Sequence, residues 1–226
     1  MDKTLTRSDA AEPLNRLRRS GVVPIVEIED PRSAVPLAQA LVEGGLPVVE
    51  ITFRTAAAAE AIAAIRAEVP EMLVIAGTVT VTEQVAQAVS AGAHLLVAPG
   101  LDHAILNAAR AAAIPMLPGV CTPSEVQQAH NAGCETVKFF PAEAIGGLPY
   151  LKALAGPFRA MGWVPTGGLS PASLPNYLAL DSVAACGGSW IAPRATITSG
   201  DFDTVRTRAA EASDLVASCR VVATVV

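Results

Sequence analysis

Short runs of β-branched and other apolar residues recur along the chain, and alanine-rich stretches of helical period separate them. Eight of these runs have the length and composition of strands, at residues 22–28, 47–53, 73–76, 94–98, 115–118, 136–139, 163–165 and 183–186. Helices are predicted between and after them, at about 31–43, 55–68, 82–90, 101–113, 123–131, 148–154, 171–178 and 202–218. Strands that alternate with helices in this way form parallel sheets, so the pattern predicts an α/β protein.

Eight strand–helix units in 226 residues, without a linker or a break in composition, favour one (β/α)8 TIM barrel. An open doubly wound sheet is the alternative, but no Gly-x-Gly-x-x-Gly fingerprint follows the first strand. An extra amphipathic N-terminal helix at residues 5–19 is expected to cover the bottom of the barrel. The prediction is therefore a single domain over residues 1–226, with residues 1–20 as the N-terminal helix and residues 221–226 as a C-terminal tail.

Charge and hydropathy exclude two classes of partner. The net charge of −5 and the pI near 5.2 argue against nucleic acid and anionic membranes. The longest uncharged run, residues 160–180, is interrupted by prolines and glycines and does not fit a membrane span. Residues 1–20 carry charges throughout and lack the apolar region of a secretory signal.

The cysteines and histidines are scattered along the chain. Neither set has the spacing of metal ligands, and there is no Cys-x-x-Cys pair. Small buried cysteines in a reducing cytosol are the simplest interpretation. We therefore predict a cytoplasmic protein with no metal or other cofactor.

Lys138 stands inside an apolar run, between Val137 and Phe139, although the whole chain contains only three lysines. Burial of an ammonium group is costly unless it is paired or loses its proton. A desolvated lysine supplies free amine, which attacks a carbonyl carbon to form a Schiff base. The alternative is a lysine at a strand end whose ammonium reaches solvent past its aromatic neighbours.

Polar side chains alternate along the second predicted strand. Glu50, Thr52 and Arg54 share one face, because successive side chains of a strand point in opposite directions. In a barrel this polar face would point inward and bring a carboxylate and a guanidinium towards the cavity of Lys138. The alternative is a structural ion pair between Glu50 and Arg54, since buried charges are usually paired.

Glycine pairs follow the last two predicted strands. Gly167-Gly168 follows the seventh strand and Gly187-Gly188 the eighth, which are the two positions where barrels commonly bind phosphate. The alternative is that both pairs form simple tight turns.

Together these segments resemble the 2-keto-3-deoxy-6-phosphogluconate (KDPG) aldolase family, class I aldolases that also cleave 4-hydroxy-2-oxoglutarate. The likeness extends from about residue 22 to residue 203. It includes Glu50-Ile51-Thr52-Phe53-Arg54-Thr55, Ala76-Gly77-Thr78-Val79, Ala98-Pro99-Gly100, Pro118-Gly119, Lys138-Phe139-Phe140-Pro141-Ala142-Glu143, Ala155-Gly156-Pro157-Phe158, Pro165-Thr166-Gly167-Gly168 and Gly187-Gly188-Ser189-Trp190. The lysine motif is the most specific of these segments.

The resemblance implies a role for each matching residue. Lys138 would form the Schiff base, and Glu50 would move protons through a water molecule. The substrate-binding residues implied are Arg54 and Thr78 for the pyruvyl carboxylate, Pro99 and Phe140 around the pyruvyl group, Gly167, Gly168 and Ser189 for phosphate, and Thr166 for the gluconate stereochemistry.

The resemblance also implies a homotrimer of (β/α)8 barrels that takes a small 2-oxo acid and needs no metal. The reaction implied is reversible cleavage of KDPG to pyruvate and glyceraldehyde 3-phosphate. Three alternatives remain: an aldolase for the galactonate epimer or for 4-hydroxy-2-oxoglutarate, a phosphate-binding barrel of other chemistry, and a barrel that binds without catalysis.

Two acidic residues, Glu27 and Glu143, are not expected to take part in substrate binding or catalysis. Some relatives place an arginine near the end of the first strand, where this chain has Glu27. An acid there would not bind an anion, so no substrate contact is expected from strand one. Glu143 belongs to the lysine motif, but its loop position fits structural hydrogen bonding, and it is left out of the catalytic set.

Overall fold

The structure is a computed structural model and describes residues 7–223. Within this range the strands are β1 (Val22–Val26), β2 (Val48–Thr52), β3 (Leu73–Gly77), β4 (Leu95–Val97), β5 (Met116–Leu117), β6 (Gly119–Val120), β7 (Thr136–Phe139), β8 (Gly162–Pro165) and β9 (Cys186–Gly188). The helices are α1 (Arg7–Ser20), α2 (Ala34–Glu43), α3 (Ala58–Glu68), α4 (Thr82–Ser90), α5 (His103–Ala111), α6 (Pro123–Asn131), α7 (Gly147–Ala155), α8 (Leu174–Leu178), α9 (Arg194–Thr198) and α10 (Phe202–Ala223). Short 3-10 turns occupy Pro31–Ser33 and Glu143–Ile145.

All the strand pairs are parallel, and they form a curled sheet in two sections. One section has the order β5-β4-β3-β2-β1-β9, and the other has the order β6-β7-β8. Only Pro118 separates β5 from β6, so these two short strands form one nearly continuous fifth strand that pairs with β4 through β5 and with β7 through β6. The fifth strand predicted at residues 115–118 includes β5 and ends before β6. A bridge between Trp163 and Val183 connects β8 to the segment that leads into β9. The predicted α/β class with a parallel sheet is confirmed.

The apolar side chains form two separate clusters, one on each face of the sheet. Val49 and Ile51 of β2 belong to the larger cluster, together with the buried faces of the helices. Val48 belongs to the smaller cluster, which lies on the opposite face and is built mainly of strand residues. Leu17 of α1 is 1% exposed and packs into that smaller cluster. Glu50 and Thr52 therefore share the face of Val48, as the alternation of side chains predicts.

Several predicted boundaries are wrong. The eighth strand is predicted at residues 183–186 but lies at Cys186–Gly188, so Gly187 and Gly188 belong to a strand and not to a loop. A Cβ on Gly187 would lie 2.6 Å from both Thr166 Oγ1 and Ile25 Cδ1, which explains a glycine in this strand. The short helix α9 has no counterpart among the predicted helices.

The chain ends also differ from the prediction. Helix α10 continues to Ala223, so the predicted tail at 221–226 begins inside a helix, and residues 224–226 lie outside the described residues. The N-terminal helix covers Arg7–Ser20, and the part predicted at residues 5 and 6 lies outside the described range. No helix between residues 7 and 223 is both long and apolar enough to cross a membrane.

Candidate active site

Lys138 and Glu50 form a buried ion pair across the inner face of the curled sheet. Lys138 Nζ lies 3.2 Å from Glu50 Oε1, and the two residues are 5% and 4% exposed. Lys138 belongs to β7 and Glu50 to β2, strands that are not neighbours in either section of the sheet. The prediction that the Glu50 carboxylate points towards Lys138 is confirmed. The alternative, a Lys138 ammonium that extends into solvent, is wrong.

The ammonium of Lys138 also lies near an aromatic ring. Its Nζ is 5.5 Å from the centroid of the Phe140 ring, within the range of a cation–π contact. Phe139 lies between Lys138 and Phe140 in the chain and points to the other face of β7. Its ring packs there against Tyr150 and Trp163. Packing of Phe139 therefore fixes the strand that carries Lys138.

Glu50 has room for its carboxylate because Gly77 of β3, the register partner of Thr52, carries no side chain. A Cβ on Gly77 would lie 2.3 Å from Glu50 Oε1 and 2.5 Å from Glu50 Cγ. The next inward residue of β2, Thr52, donates a 2.9 Å hydrogen bond to the carbonyl oxygen of Val26. Thr52 thus ties β2 to the carboxyl end of β1.

Arg54 lies at the rim of the candidate site, which is formed by the residues that follow the carboxyl ends of the strands. Its side chain is not buried beside that of Glu50. Its side chain is 63% exposed, and its Nη1 lies 3.0 Å from Glu27 Oε2. Glu27 also pairs with Arg194, at 3.2 Å. A structural ion pair between Glu50 and Arg54, the alternative considered from the sequence, is therefore wrong, because each of the two has another partner.

Two further residues of the predicted site lie where strands end. Thr78 directly follows β3 and has φ of 57°, a left-handed conformation that is uncommon for a residue other than glycine. Pro99 follows β4 and is half-buried. Gly119 of β6 passes so close to it that a Cβ there would lie 2.1 Å from the carbonyl oxygen of Pro99. Thr78 and Pro99 therefore lie just after the carboxyl ends of two neighbouring parallel strands, β3 and β4.

The loop after β8 is joined to the lysine motif by main-chain hydrogen bonds. Thr166 is 6% exposed, and Gly167 and Gly168 have φ of 102° and 82°. The amide of Ala142 donates to the carbonyl of Thr166, and the amide of Glu143 donates to that of Gly167. This loop therefore has a fixed position relative to Lys138.

Glu143 makes the structural hydrogen bond that its loop position suggests. Its Oε1 accepts a 2.6 Å hydrogen bond from the hydroxyl of Tyr177 on α8. Burial, followed by this contact with Glu143, raises the pKa of Tyr177, so the phenol stays protonated. A Cβ on Gly168 would lie 2.8 Å from Glu143 Cβ, so the glutamate forms one wall of the glycine loop.

Ser189 directly follows β9 and is exposed.

Sequence reasoning missed three contributors to this region: Gly77, Tyr177 and Arg194. Gly77 could have been recognised from its place in the Ala76-Gly77-Thr78 segment. Tyr177 and Arg194 do not belong to any motif or periodic pattern of the sequence that indicates a site. Among residues 7–223, no group of three or more His, Cys, Asp and Glu side chains has the arrangement of a metal site.

A lysine buried beside a carboxylate, on the inner face of a parallel sheet, fits the class of enzymes that form a Schiff base with a carbonyl substrate. The family model of KDPG and KHG aldolases matches residues 14–208. The KHG/KDPG aldolase of Escherichia coli K12 is 47% identical over 191 residues, which cover 84% of this chain and 90% of that protein. The chain therefore belongs to the KDPG and KHG aldolase family.

Solved structures show the same relationship. The 2-keto-3-deoxy-6-phosphogluconate aldolase of Zymomonas mobilis ZM4, solved with 3-phosphoglycerate, is 42% identical with a TM-score of 0.84, over 90% of this chain and 96% of that one. The KDPG aldolase of Legionella pneumophila, solved with pyruvate captured as a covalent carbinolamine, is 37% identical with a TM-score of 0.84. The match covers 88% of this chain and 96% of the Legionella chain.

Proposed function

We propose that this protein is a class I aldolase that reversibly cleaves KDPG to pyruvate and glyceraldehyde 3-phosphate. We propose that it also cleaves 4-hydroxy-2-oxoglutarate to pyruvate and glyoxylate. One observation carries the proposal: the buried contact of 3.2 Å between Lys138 Nζ and Glu50 Oε1. The relatives that share the family are named for these two substrates, and one of them holds pyruvate as a carbinolamine.

The first step begins with a proton transfer within the ion pair of Lys138 and Glu50. Transfer of one proton from the ammonium of Lys138 to Glu50 leaves a free amine and a carboxylic acid, with no change in net charge. The amine attacks C2 of the 2-oxo acid to give a carbinolamine. Glu50 then returns the proton to the departing hydroxyl, and the loss of water produces the protonated imine on Lys138.

The second step breaks carbon–carbon bond C3–C4. Glu50, once again a carboxylate, removes the proton of the C4 hydroxyl through a water molecule. The electrons of the C3–C4 bond move into the imine, which releases the aldehyde and leaves an enamine on Lys138. Glu50 then returns that proton, again through the water molecule, to C3 of the enamine. Addition of water to the resulting imine releases pyruvate and regenerates the amine of Lys138.

The rim residues would hold the two ends of the substrate. Arg54 carries a planar fork of donors suited to the substrate carboxylate, and Glu27 engages one of its terminal nitrogens. Thr78 is assigned to the same carboxylate, and Pro99 and Phe140 to the pyruvyl group. The positions proposed for the phosphate are Gly167, Gly168 and Ser189, and Thr166 would select the gluconate stereochemistry.

The proposed architecture is one (β/α)8 barrel domain with helix α1 across its amino-terminal end. The bridge between Trp163 and Val183, the shared fifth strand and the burial of Leu17 on the inner face support it. We also propose a cytoplasmic homotrimer. Free thiols at Cys121, Cys134, Cys186 and Cys219 support a reducing compartment, and sedimentation equilibrium would test the trimer.

Borohydride trapping tests the function. The protein is incubated with pyruvate, reduced and digested, and the modified lysine is located by mass spectrometry. We expect a reduced pyruvyl adduct on Lys138 and none on Lys152, the exposed lysine of α7. No adduct, or an adduct on another lysine, would overturn the Schiff-base mechanism in favour of a phosphate-binding barrel of other chemistry. Cleavage rates for KDPG, its galactonate epimer and 4-hydroxy-2-oxoglutarate would then identify the preferred substrate.

A further inference from the structure

Glu27 lies between two arginines at the rim of the candidate site. Its Oε2 is 3.0 Å from Arg54 Nη1, and its Oε1 is 3.2 Å from Arg194 Nη1. The glutamate side chain is 17% exposed, whereas the arginine side chains are 63% and 58% exposed. Glu27 is thus the most buried member of the group, and each of its carboxylate oxygens serves one guanidinium.

The order of the strands explains why these three residues meet. Strand β1 lies between β2 and β9, and Glu27 directly follows β1. Arg54 follows β2 by two residues, and Arg194 begins the short helix after β9. A carboxylate on the middle strand therefore bridges the loops of both neighbouring strands.

An exposed arginine has many rotamers, and ordering them on substrate binding costs free energy. A carboxylate that already holds one nitrogen of the guanidinium restricts those rotamers before the substrate arrives. We propose that Glu27 is a positioning residue that fixes Arg54 for the carboxylate of the 2-oxo acid, and that Arg194 offsets the negative charge of Glu27. This inference rests on the proposed function, in which Arg54 binds that carboxylate.

The charge of Glu27 would otherwise oppose the binding of an anion. Arg194 neutralises it, and Arg194 has a second acidic contact with Glu29 that keeps its guanidinium in place. From the sequence, an acid at the end of strand one is not expected to assist anion binding. The structure changes that expectation, because the acid acts through the guanidinium of Arg54.

The sign of one mutational effect separates positioning from simple electrostatics. Removing a negative charge near an anion site should strengthen binding if only the charge matters. If Glu27 positions Arg54, E27Q should instead raise the KM for the 2-oxo acid, and the pyruvate concentration that half-saturates trapping on Lys138, by about three- to tenfold. The kcat should stay within about twofold and the melting temperature should not change, because rim ion pairs contribute little to stability.

Two further variants complete this comparison. E27D retains the carboxylate and should recover part of the lost affinity. D30N removes the same charge from the same segment, but the Asp30 carboxylate pairs with Arg32 and not with Arg54, so its KM should match the wild type. An unchanged or lower KM in E27Q would overturn the positioning role.

A double-mutant cycle tests the part assigned to Arg194. R194Q should raise the KM when Glu27 is present, because the uncompensated carboxylate of Glu27 then opposes the substrate. In the E27Q background the effect of R194Q should be smaller, because only Glu29 then loses its partner. An equal effect of R194Q in both backgrounds would overturn the charge-offset role and indicate direct contact with the substrate.

Trapping experiments on the wild-type protein distinguish failure of the proposed aldolase function from failure of the inference about Glu27. If it gives no pyruvyl adduct on Lys138 at any pyruvate concentration, the proposed function fails and the inference fails with it. If the adduct forms and saturates on Lys138, but E27Q saturates at the same concentration, only the inference about Glu27 is overturned.

Discussion

Nζ of Lys138 donates a hydrogen bond of 3.2 Å to Oε1 of Glu50, across the interior between two strands that are not neighbours in the sheet. Both residues are about as buried as the apolar core around them. A charged pair in such a place costs several kcal/mol per ion in desolvation and is a weak source of stability. Its geometry fits a proton exchange between an amine and a carboxylate, which is the chemistry that the proposed aldolase requires.

Glu50→Gln should abolish most of the aldolase activity. The amide cannot accept the proton of Lys138 or of the C4 hydroxyl, so we expect kcat to fall by about 10²- to 10⁴-fold. Steady-state cleavage of KDPG measures this fall, and borohydride trapping should still label Lys138, although more slowly. Glu43→Gln is the control, because the Glu43 carboxylate pairs with Arg206 on the outer surface. A kcat within tenfold of wild type would remove Glu50 from the mechanism.

Stability should respond differently to single and double changes in this pair. Lys138→Met leaves a buried carboxylate without its partner, and we expect a loss of about 3 to 5 kcal/mol in the free energy of unfolding. Adding Glu50→Gln to that variant should recover most of the loss, because the uncompensated charge disappears. Urea unfolding of the wild type, both single variants and the double variant gives the coupling. Purely additive losses would contradict the pairing.

Gly77→Ala should damage the site although it adds only one carbon. The new Cβ would lie 2.3 Å from Glu50 Oε1, so the carboxylate must leave its position beside Lys138. We expect a fall in kcat approaching that of Glu50→Gln, together with destabilisation of about 1 to 3 kcal/mol from overpacking. Gly100→Ala serves as the matched control, because no atom lies within 4 Å of the Cβ that it would add. Full activity in Gly77→Ala would show that Glu50 works from another position.

Tyr177→Phe should weaken the binding of the phosphorylated end of the substrate selectively. The Tyr177 hydroxyl orients Glu143, which in turn forms a wall for Gly168. Without that hydrogen bond we expect the KM for KDPG to rise by about two- to tenfold, because a typical hydrogen bond contributes about 1 kcal/mol. The KM for 4-hydroxy-2-oxoglutarate, which has no phosphate, should not change.

Tyr150→Phe is the control for this substitution, since the Tyr150 hydroxyl donates to the carbonyl of Cys121 and does not touch Glu143. Equal effects of Tyr177→Phe on both substrates would show that Glu143 supports the whole site and has no special relation to the phosphate loop.

The sequence identifies both members of the central pair because the signals for Lys138 and Glu50 are local and periodic. The alternation of side chains places Glu50 on the inner face of β2, and an isolated lysine in an apolar run identifies Lys138. Parallel strands then bring their carboxyl ends together on one side of the sheet. The 3.2 Å contact itself does not follow from these rules, because it depends on how the sheet curls to bring β2 opposite β7.

The rim was harder to predict, because its contacts join segments that are distant in sequence. Arg194 and Glu27 are 167 positions apart, and neither sits in a pattern that indicates the other. The eighth strand was mispredicted for a similar reason, because contacts with distant residues decide it. Glycine is disfavoured in strands by propensity, yet β9 contains Gly187, since Thr166 and Ile25 leave no space for a side chain at that position. Tertiary packing decides both cases.

His94 should make stability depend on pH. Its Nδ1 accepts a 3.0 Å hydrogen bond from the amide of Val74, which requires a neutral ring. Burial, and then the guanidinium groups of Arg66 and Arg16, lower the pKa of His94 from 6.5 to about 4. Between these values the unfolded chain binds a proton that the folded protein does not, so stability is fully present above about pH 6.5 and is lost as the pH falls through about 4.

We expect this group to contribute about 1 to 3 kcal/mol to that loss, after allowance for solvent screening at a half-buried site. Urea unfolding at pH 7 and at pH 4.5 measures it, with His94→Gln compared to the wild type. The variant should lose less stability on acidification, whereas His130→Gln, a change at an exposed histidine of α6, should retain the wild-type dependence. Carboxylates also titrate in this pH range. The contribution of His94 is therefore the difference between the pH dependence of the wild type and that of His94→Gln, and not either curve alone. Parallel curves for the wild type and His94→Gln would mean that the ring is protonated in the folded protein and that the Val74 contact does not hold it neutral.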